Sequence, residues 1–212
     1  MSRVIRKLKS IYLHSRIKSF AKPEGIEKNA ALLKPYFDDY IATVSVANMA
    51  ASLELAATLL SLLQSGKYIR LLDLGSGFSS FVFRYYAKST PGVEVYSVDD
   101  DAEWLEKTRV YLKKNNVSDK NLYTLDQFLA GNFSGFDCIL HDLNFVEVRI
   151  NYVSKLLTKL SPDGIFILDD MHKPDYRNEV LRKLEREPFN IYDLREITLD
   201  SFGRYSMLVL RK

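Results

Sequence analysis

Residues 71–80, LLDLGSGFSS, form an apolar run carrying one acid that breaks into two glycines and three serines. Residues this small let a backbone approach a ligand or another chain segment closely. If a helix follows, its N-terminus favours the negative groups of that ligand. Taken alone, the stretch suits a nucleotide, a phosphate or a nucleoside-like cofactor. A P-loop would end in Gly-Lys-Ser/Thr, and there is no lysine here. The dinucleotide pattern G-x-G-x-x-G survives only as Gly75-x-Gly77-x-x-Ser80.

Working outward, short apolar runs alternate with helix-period segments from Ile69 onward, the signature of βαβ units and a mainly parallel sheet. Strands are expected at 69–74, 93–98, 121–125, 136–141 and 164–168, with four helices between or after them. The end of the chain changes character: NIYDLREITLD and YSMLVLRK read as two strands joined by a tight SFGR turn, an antiparallel finish to the sheet. Upstream, the texture is helical. A short helix is expected near 26–38, and a stronger one over 45–66, with Ser45 as N-cap and Gly66 as stop. The expected organisation is one compact domain, with residues 1–66 a helical cap or extension and 67–212 the cofactor-binding core.

At 212 residues, 47% hydrophobic and 27% charged, the composition is that of a globular protein, and no apolar run approaches membrane-spanning length. Cys138, the single cysteine, lies in an apolar run and reads as a small buried hydrophobe, which makes a reducing cytoplasm the default. The net charge of +3 is unevenly placed. Residues 1–22 hold seven of the 30 Lys and Arg and no acid, leaving 23 basic against 27 acidic residues, or −4, for the rest. This segment is a candidate basic amphipathic helix. It reads as a helix packed on the main domain, a lid over the site, a surface for an anionic substrate or a membrane, or a transit peptide.

In an open parallel sheet, ligands bind beyond the carboxyl ends of the strands, near the point where strand order reverses. Acids stand at each of these ends: Asp73, then Asp99-Asp100-Asp101, Asp126, Asp142 after His141, and Asp169-Asp170 followed by His172. So many carboxylates at one edge require donors or cations around them.

These motifs, in this order, resemble the class I S-adenosylmethionine-dependent methyltransferases. The likeness rests on LLDLGSGFSS, VEVYSVDDDAEWLE, LYTLDQF, FDCILHDL and LSPDGIFILDDMH, and spans about residues 65–212. It implies an α/β, Rossmann-like, seven-stranded and mainly parallel sheet with an antiparallel last strand, flanked by helices. By the same resemblance, Asp73, Gly75, Ser76 and Gly77 would face the methionine part of S-adenosylmethionine, with Ser79 or Ser80 near its carboxylate. Asp99 would hold the ribose hydroxyls, with Asp100 as the alternative one residue on. Asp126 would accept from the adenine amino group, and Gln127 and Phe128 would line the base. Trp104 reads as a packing residue or an edge of the adenine pocket.

Within that family, Asp142, Asp169 and Asp170 resemble the ligand set of the magnesium-dependent O-methyltransferases, which gives Asp142 a catalytic role. A bound Mg²⁺ would acidify and orient a substrate hydroxyl. Acids at these positions also occur in methyltransferases that use no metal, so both readings stand. The catechol-type enzymes place a lysine shortly after the first metal acid, and DLNF offers none. His172 is the alternative general base, its other reading being a loop histidine with a structural hydrogen bond. His141 reads as structural. Arg149, Tyr176, Arg177 and Arg204 could reach an anionic substrate, although surface charge and packing explain them as well.

The leading expectation is methyl transfer to an oxygen of a small hydroxylated metabolite, with nucleic acid an unfavoured partner and a homo-oligomer one option for assembly. The alternatives are a methyltransferase acting on RNA or protein, an NAD-dependent oxidoreductase, and a non-catalytic cofactor-binding protein.

Overall fold

The computed structural model describes residues 22–66 and 68–212. The basic helix expected at the N-terminus lies outside the described residues. The first described helix, α1 (Pro23–Thr43), is longer than the 26–38 expected; it opens on a proline, whose fixed backbone angle suits a first turn. A loop over 44–52 leads to α2 (Leu53–Ser65).

The start of α2 differs from expectation. The N-cap is Ser52, whose hydroxyl accepts from Leu55 N at 3.1 Å, not Ser45. Arg204 explains the difference. Its guanidinium donates to the carbonyls of Ala47, Asn48 and Ala50 at 3.0–3.1 Å, and so takes acceptors that a helix through 45–52 would need.

The α/β region runs β1 (Arg70–Leu74), α3 (Phe78–Ser89), β2 (Glu94–Asp99), α4 (Ala102–Lys114), β3 (Leu122–Thr124), α5 (Leu125–Ala130) and β4 (Phe136–His141). It continues with α6 (Val146–Leu157), β5 (Leu160–Leu168), α7 (Pro174–Leu184), β6 (Phe189–Asp193), α8 (Arg195–Thr198) and β7 (Met207–Arg211). The seven strands are ordered β3-β2-β1-β4-β5-β7-β6, and β7 runs antiparallel to both neighbours. The antiparallel finish is as expected, and the tight SFGR turn is present, with Gly203 N donating to Asp200 O at 3.1 Å; the unexpected short helix α8 precedes it in the link between β6 and β7.

Alternate residues of the strands feed two apolar clusters, one on each face of the sheet. Leu71, Cys138, Leu140 and Ile167 pack with α2, α3 and the buried side of α1, including Leu33 and Tyr40. Leu72, Ile139, Phe166 and Val209 pack with Phe128, Val153, Leu156 and Val180 from α5, α6 and α7. Five leucines of α2 are buried, each contributing about 1.5–3 kcal/mol by transfer from water. Thr58 of α2 donates to Ile197 O at 3.0 Å, which ties the N-terminal helices to the far end of the sheet.

Candidate active site

Strand order reverses between β1 and β4, and the loops beyond their carboxyl ends touch there. The ladder continues past the strands, since Gly75 N donates to Val98 O at 2.8 Å and Asp142 N to Leu74 O at 2.6 Å. Gly75 has φ +97°, and a Cβ on it would collide with the Asp142 carbonyl. Its missing side chain is therefore required by the neighbouring loop of the protein itself. Gly77 is different: its backbone is extended, and a Cβ would point toward Tyr40 Oη at 3.0 Å and Trp104 Nε1 at 3.9 Å, both of which border the cavity.

That cavity, about 310 Å³, lies over the switch point. One end is formed by Gly75, Ser76, Gly77, Ser79, Asp99 and Trp104, and the other by Asp142, Asn144, Asp169, Asp170 and His172. Tyr40 of α1 and the loop residues Asn48–Ala51 close it from above, so the N-terminal helical part does supply a wall.

Asp99, the last residue of β2, accepts from Ser76 N at 2.6 Å and from Asp101 N at 3.0 Å. Burial raises its carboxyl above the ordinary value, against the lowering effect of these donors. Asp101 caps α4, accepting from Glu103 N and Trp104 N, and thereby aims Trp104, whose indole N–H donates to Ser76 O at 2.6 Å. Of the two candidates Asp99 and Asp100, only Asp99 is among the residues lining the cavity.

Asp73 and Ser80 lie beneath the cavity as supports. Asp73 is fully buried, accepts from Ser80 and, at 3.3 Å, from Ser97, and is pushed up to about 6 by burial. The buried Arg84 donates to Ser97 Oγ at 2.7 Å and Ser80 O at 3.2 Å, placing a positive charge on the same network.

The structure does not bring the expected adenine residues to the cavity. Helix α5 starts directly after β3, which turns Phe128 into the core, stacked on Phe133 with centroids 5.2 Å apart. Gln127 Oε1 accepts from Thr124 N in a capping box, and Asp126 is exposed in the first turn. None of the three is among the cavity residues.

At the other end, Arg149 of α6 enters the carboxylate cluster. Its guanidinium lies 2.7 Å from Asp142 Oδ1 and 3.1 Å from Asp170 Oδ2, while Nε donates to Leu143 O. Burial lowers the guanidinium and the two acids raise it, with a net upward shift. For Asp142, burial pushes the carboxyl up and Arg149 pulls it down. Burial and the neighbouring acids win, leaving the Asp142 carboxyl well above its ordinary value even with the guanidinium at contact distance.

Asp170 adopts φ +60° and also pairs with Lys173 at 2.6 Å; against burial, Arg149 and then Lys173 hold it below its ordinary value. Asp169 is raised by burial and then by Asp170, and accepts from Ser206 Oγ at 2.6 Å. Among the described residues, no group of three or more His, Cys, Asp or Glu side chains is arranged to hold a metal ion. The three acids expected as ligands come together, but two of them are occupied by a guanidinium. The donor set does not fit Mg²⁺.

His172 lines the cavity with Nδ1 3.6 Å from Asp170 Oδ1. His141 is structural as expected: it is buried, its Nε2 sits 2.9 Å from Arg149 O, and burial lowers it to about 4. Tyr176 and Arg177 serve packing, the latter donating to Tyr205 Oη at 2.7 Å. Sequence reasoning missed Tyr40, the 48–51 loop and Asn144, which carry no motif. It named Arg149 and Arg204 without their partners.

No family model and no curated protein matches the sequence. Solved structures share the fold. The O-methyltransferase TomG from Streptomyces achromogenes, involved in tomaymycin synthesis and solved with S-adenosylmethionine, superposes with TM-score 0.65 at 17% identity over 100% of both chains. The SAH-bound methyltransferase PaMTH1 of Podospora anserina gives 0.61 at 15% identity, covering 100% of this chain and 97% of that one. The O-methyltransferase from Bacillus cereus, in complex with SAH, gives 0.60 at 16% identity, covering 92% and 100%. The fold is thus that of the class I S-adenosylmethionine-dependent methyltransferases, as the resemblance implied. No described helix is long and apolar enough to cross a membrane.

Proposed function

We propose that the chain is an S-adenosylmethionine-dependent methyltransferase acting on an oxygen of a small hydroxylated molecule. The observation that carries this reading is one continuous cavity joining the Gly75–Gly77 loop, Asp99 and Trp104 to His172 and the acids beyond β4 and β5. The glycine that opens onto it, the start of α3 and a carboxylate at the end of β2 suit the amino-acid and ribose parts of the cofactor. When bound, that cofactor supplies a methyl group on a good leaving group, so the protein's work is positioning and removal of one proton.

Asp99 offers acceptor oxygens to a sugar diol. Trp104 presents ring surface to the bound ligand, and the buried Tyr40 backs the cavity behind Gly77. His172, with one ring nitrogen toward Asp170, takes the acceptor's proton. Asp142 is held by Arg149 and shapes the acceptor end.

Trp104 is the single tryptophan of the chain and borders the cavity, which makes its fluorescence the test. Titration with S-adenosylmethionine should change that emission saturably, whereas NAD should not. A methyl-transfer screen over hydroxylated compounds then follows, with His172→Ala expected to lower kcat about 10²–10⁴-fold. No response to the cofactor would overturn the function, and a wild-type rate in His172→Ala would remove the base.

A further inference from the structure

The carboxylates beyond β4 and β5 have a built-in counter-ion. Asp142 and Asp170 are brought together by Arg149, which spends NH2 on one and NH1 on the other. The guanidinium is held on every side: Nε donates to Leu143 O, and Tyr176 lies with its ring centroid 5.9 Å from the guanidinium carbon. Its backbone is fixed too, since Arg149 N donates to Phe145 O at 3.0 Å and His141 Nε2 sits 2.9 Å from Arg149 O. A side chain so anchored does not swing away to admit another cation. A hard divalent ion would need the same carboxylates and would sit against a fixed positive charge.

We propose that Arg149 takes the place of a divalent metal at this site: it is the positioning residue that fixes Asp142 and Asp170, and it bars Mg²⁺ from them. Arg149 and Lys173 already offset two of the three acids, so an added dication would leave the cluster with a net positive charge. This end of the site then acts on its acceptor through fixed side chains, with no metal-bound oxygen. The proposal concerns the same site as the proposed methyl transfer, but it rests on the ion pairs, and it is tested by metal binding, which is independent of any activity.

Mn²⁺ serves as the probe, read by electron paramagnetic resonance of the free ion during titration of the purified full chain. The wild type should show no Mn²⁺ binding that Asp142→Asn removes. Arg149→Met keeps the bulk of the side chain and removes its charge, and should bind Mn²⁺ at least tenfold more tightly than the wild type. Arg149→Lys, which retains a positive charge, should not. One Mn²⁺ per wild-type chain, lost in Asp142→Asn or Asp170→Asn, would overturn the proposal. Should Arg149→Met fail to fold, the wild-type titration against Asp142→Asn decides alone. A saturable Trp104 response to S-adenosylmethionine alongside wild-type Mn²⁺ binding would sink the metal inference and leave the methyltransferase reading standing. Failure of the cofactor titration with no Mn²⁺ binding would do the reverse.

Discussion

Asp99 Oδ2 accepts from the backbone N–H of Ser76 at 2.6 Å, so the carboxylate that ends β2 holds the loop that ends β1. The residue proposed to grip the cofactor's sugar is also the brace of the surface beneath its methionine end. Replacing Asp99 by Ala leaves the Ser76 and Asp101 amides without their partner, at a cost of about 2 kcal/mol. Fluorescence titration should show affinity for S-adenosylmethionine falling at least about tenfold, with denaturant melts registering the stability loss. A variant with full affinity would separate Asp99 from the cofactor.

The two glycines of the loop answer to different constraints, and alanine tells them apart. Gly75→Ala places a Cβ against the Asp142 carbonyl at a positive φ, and should destabilise by about 3 kcal/mol or more. Gly77→Ala, on an extended backbone, meets the Tyr40 hydroxyl at 3.0 Å and otherwise only ordinary contacts at 3.9 Å, and should fold with a loss of about 1 kcal/mol or less. Its effect should appear in cofactor affinity, because the added methyl points at the cavity. Thermal melts and titrations of both variants check the contrast.

Arg204 holds the roof of the cavity. Paired with Asp200 at 2.6 Å and bonded to three carbonyls of the 47–50 loop, it is a largely buried ion pair. Arg204→Met should cost about 3 kcal/mol, much of it from the stranded Asp200. Arg204→Lys, which cannot reproduce the planar fork, should recover less than half of that loss. Hydrogen exchange should rise specifically over residues 44–52, and an unchanged rate there would remove Arg204 as the loop's anchor.

Asp73 gives the fold a pH dependence of defined sign. Burial lifts its carboxyl from 3.8 to about 6, so between those values the folded chain keeps a proton that the unfolded chain has lost. Its contribution is greatest below pH 3.8 and declines as pH rises to about 6, by about 3 kcal/mol in all. Asp73→Asn lacks this titration. Comparing urea melts of the two proteins at pH 4 and pH 7 should show the difference shifting toward the variant by about that amount. A difference independent of pH would mean that the carboxyl is not elevated.

The parts of the fold legible in the sequence are those governed by neighbours along the chain. Short apolar runs between helix-period stretches placed β1, β2 and β4 to within a residue and their helices to within three, and the final antiparallel strands showed in the change of pattern at 190–212. The site was legible where a strand end announces it, at Gly75–Gly77, Asp99, Asp142, Asp169 and Asp170, all of which border the cavity. Position 128 marks the limit. After β3 the sequence offers three residues suited to adenine, yet a helix that starts one residue later rotates Phe128 into the core.

By itself the sequence determined the order of the strands and the longer helices, the edge of the sheet that carries the acids, and the small residues where backbones meet, because each follows from local periodicity or backbone sterics. The tertiary structure alone decided the charge pairing and the roof. Arg204 reaches carbonyls more than 150 residues earlier and so sets where α2 begins, and Arg149 bridges Asp142 beyond β4 and Asp170 beyond β5. A long cationic side chain can reach many partners, and which one it takes depends on burial and distances that exist only once the sheet has closed over it.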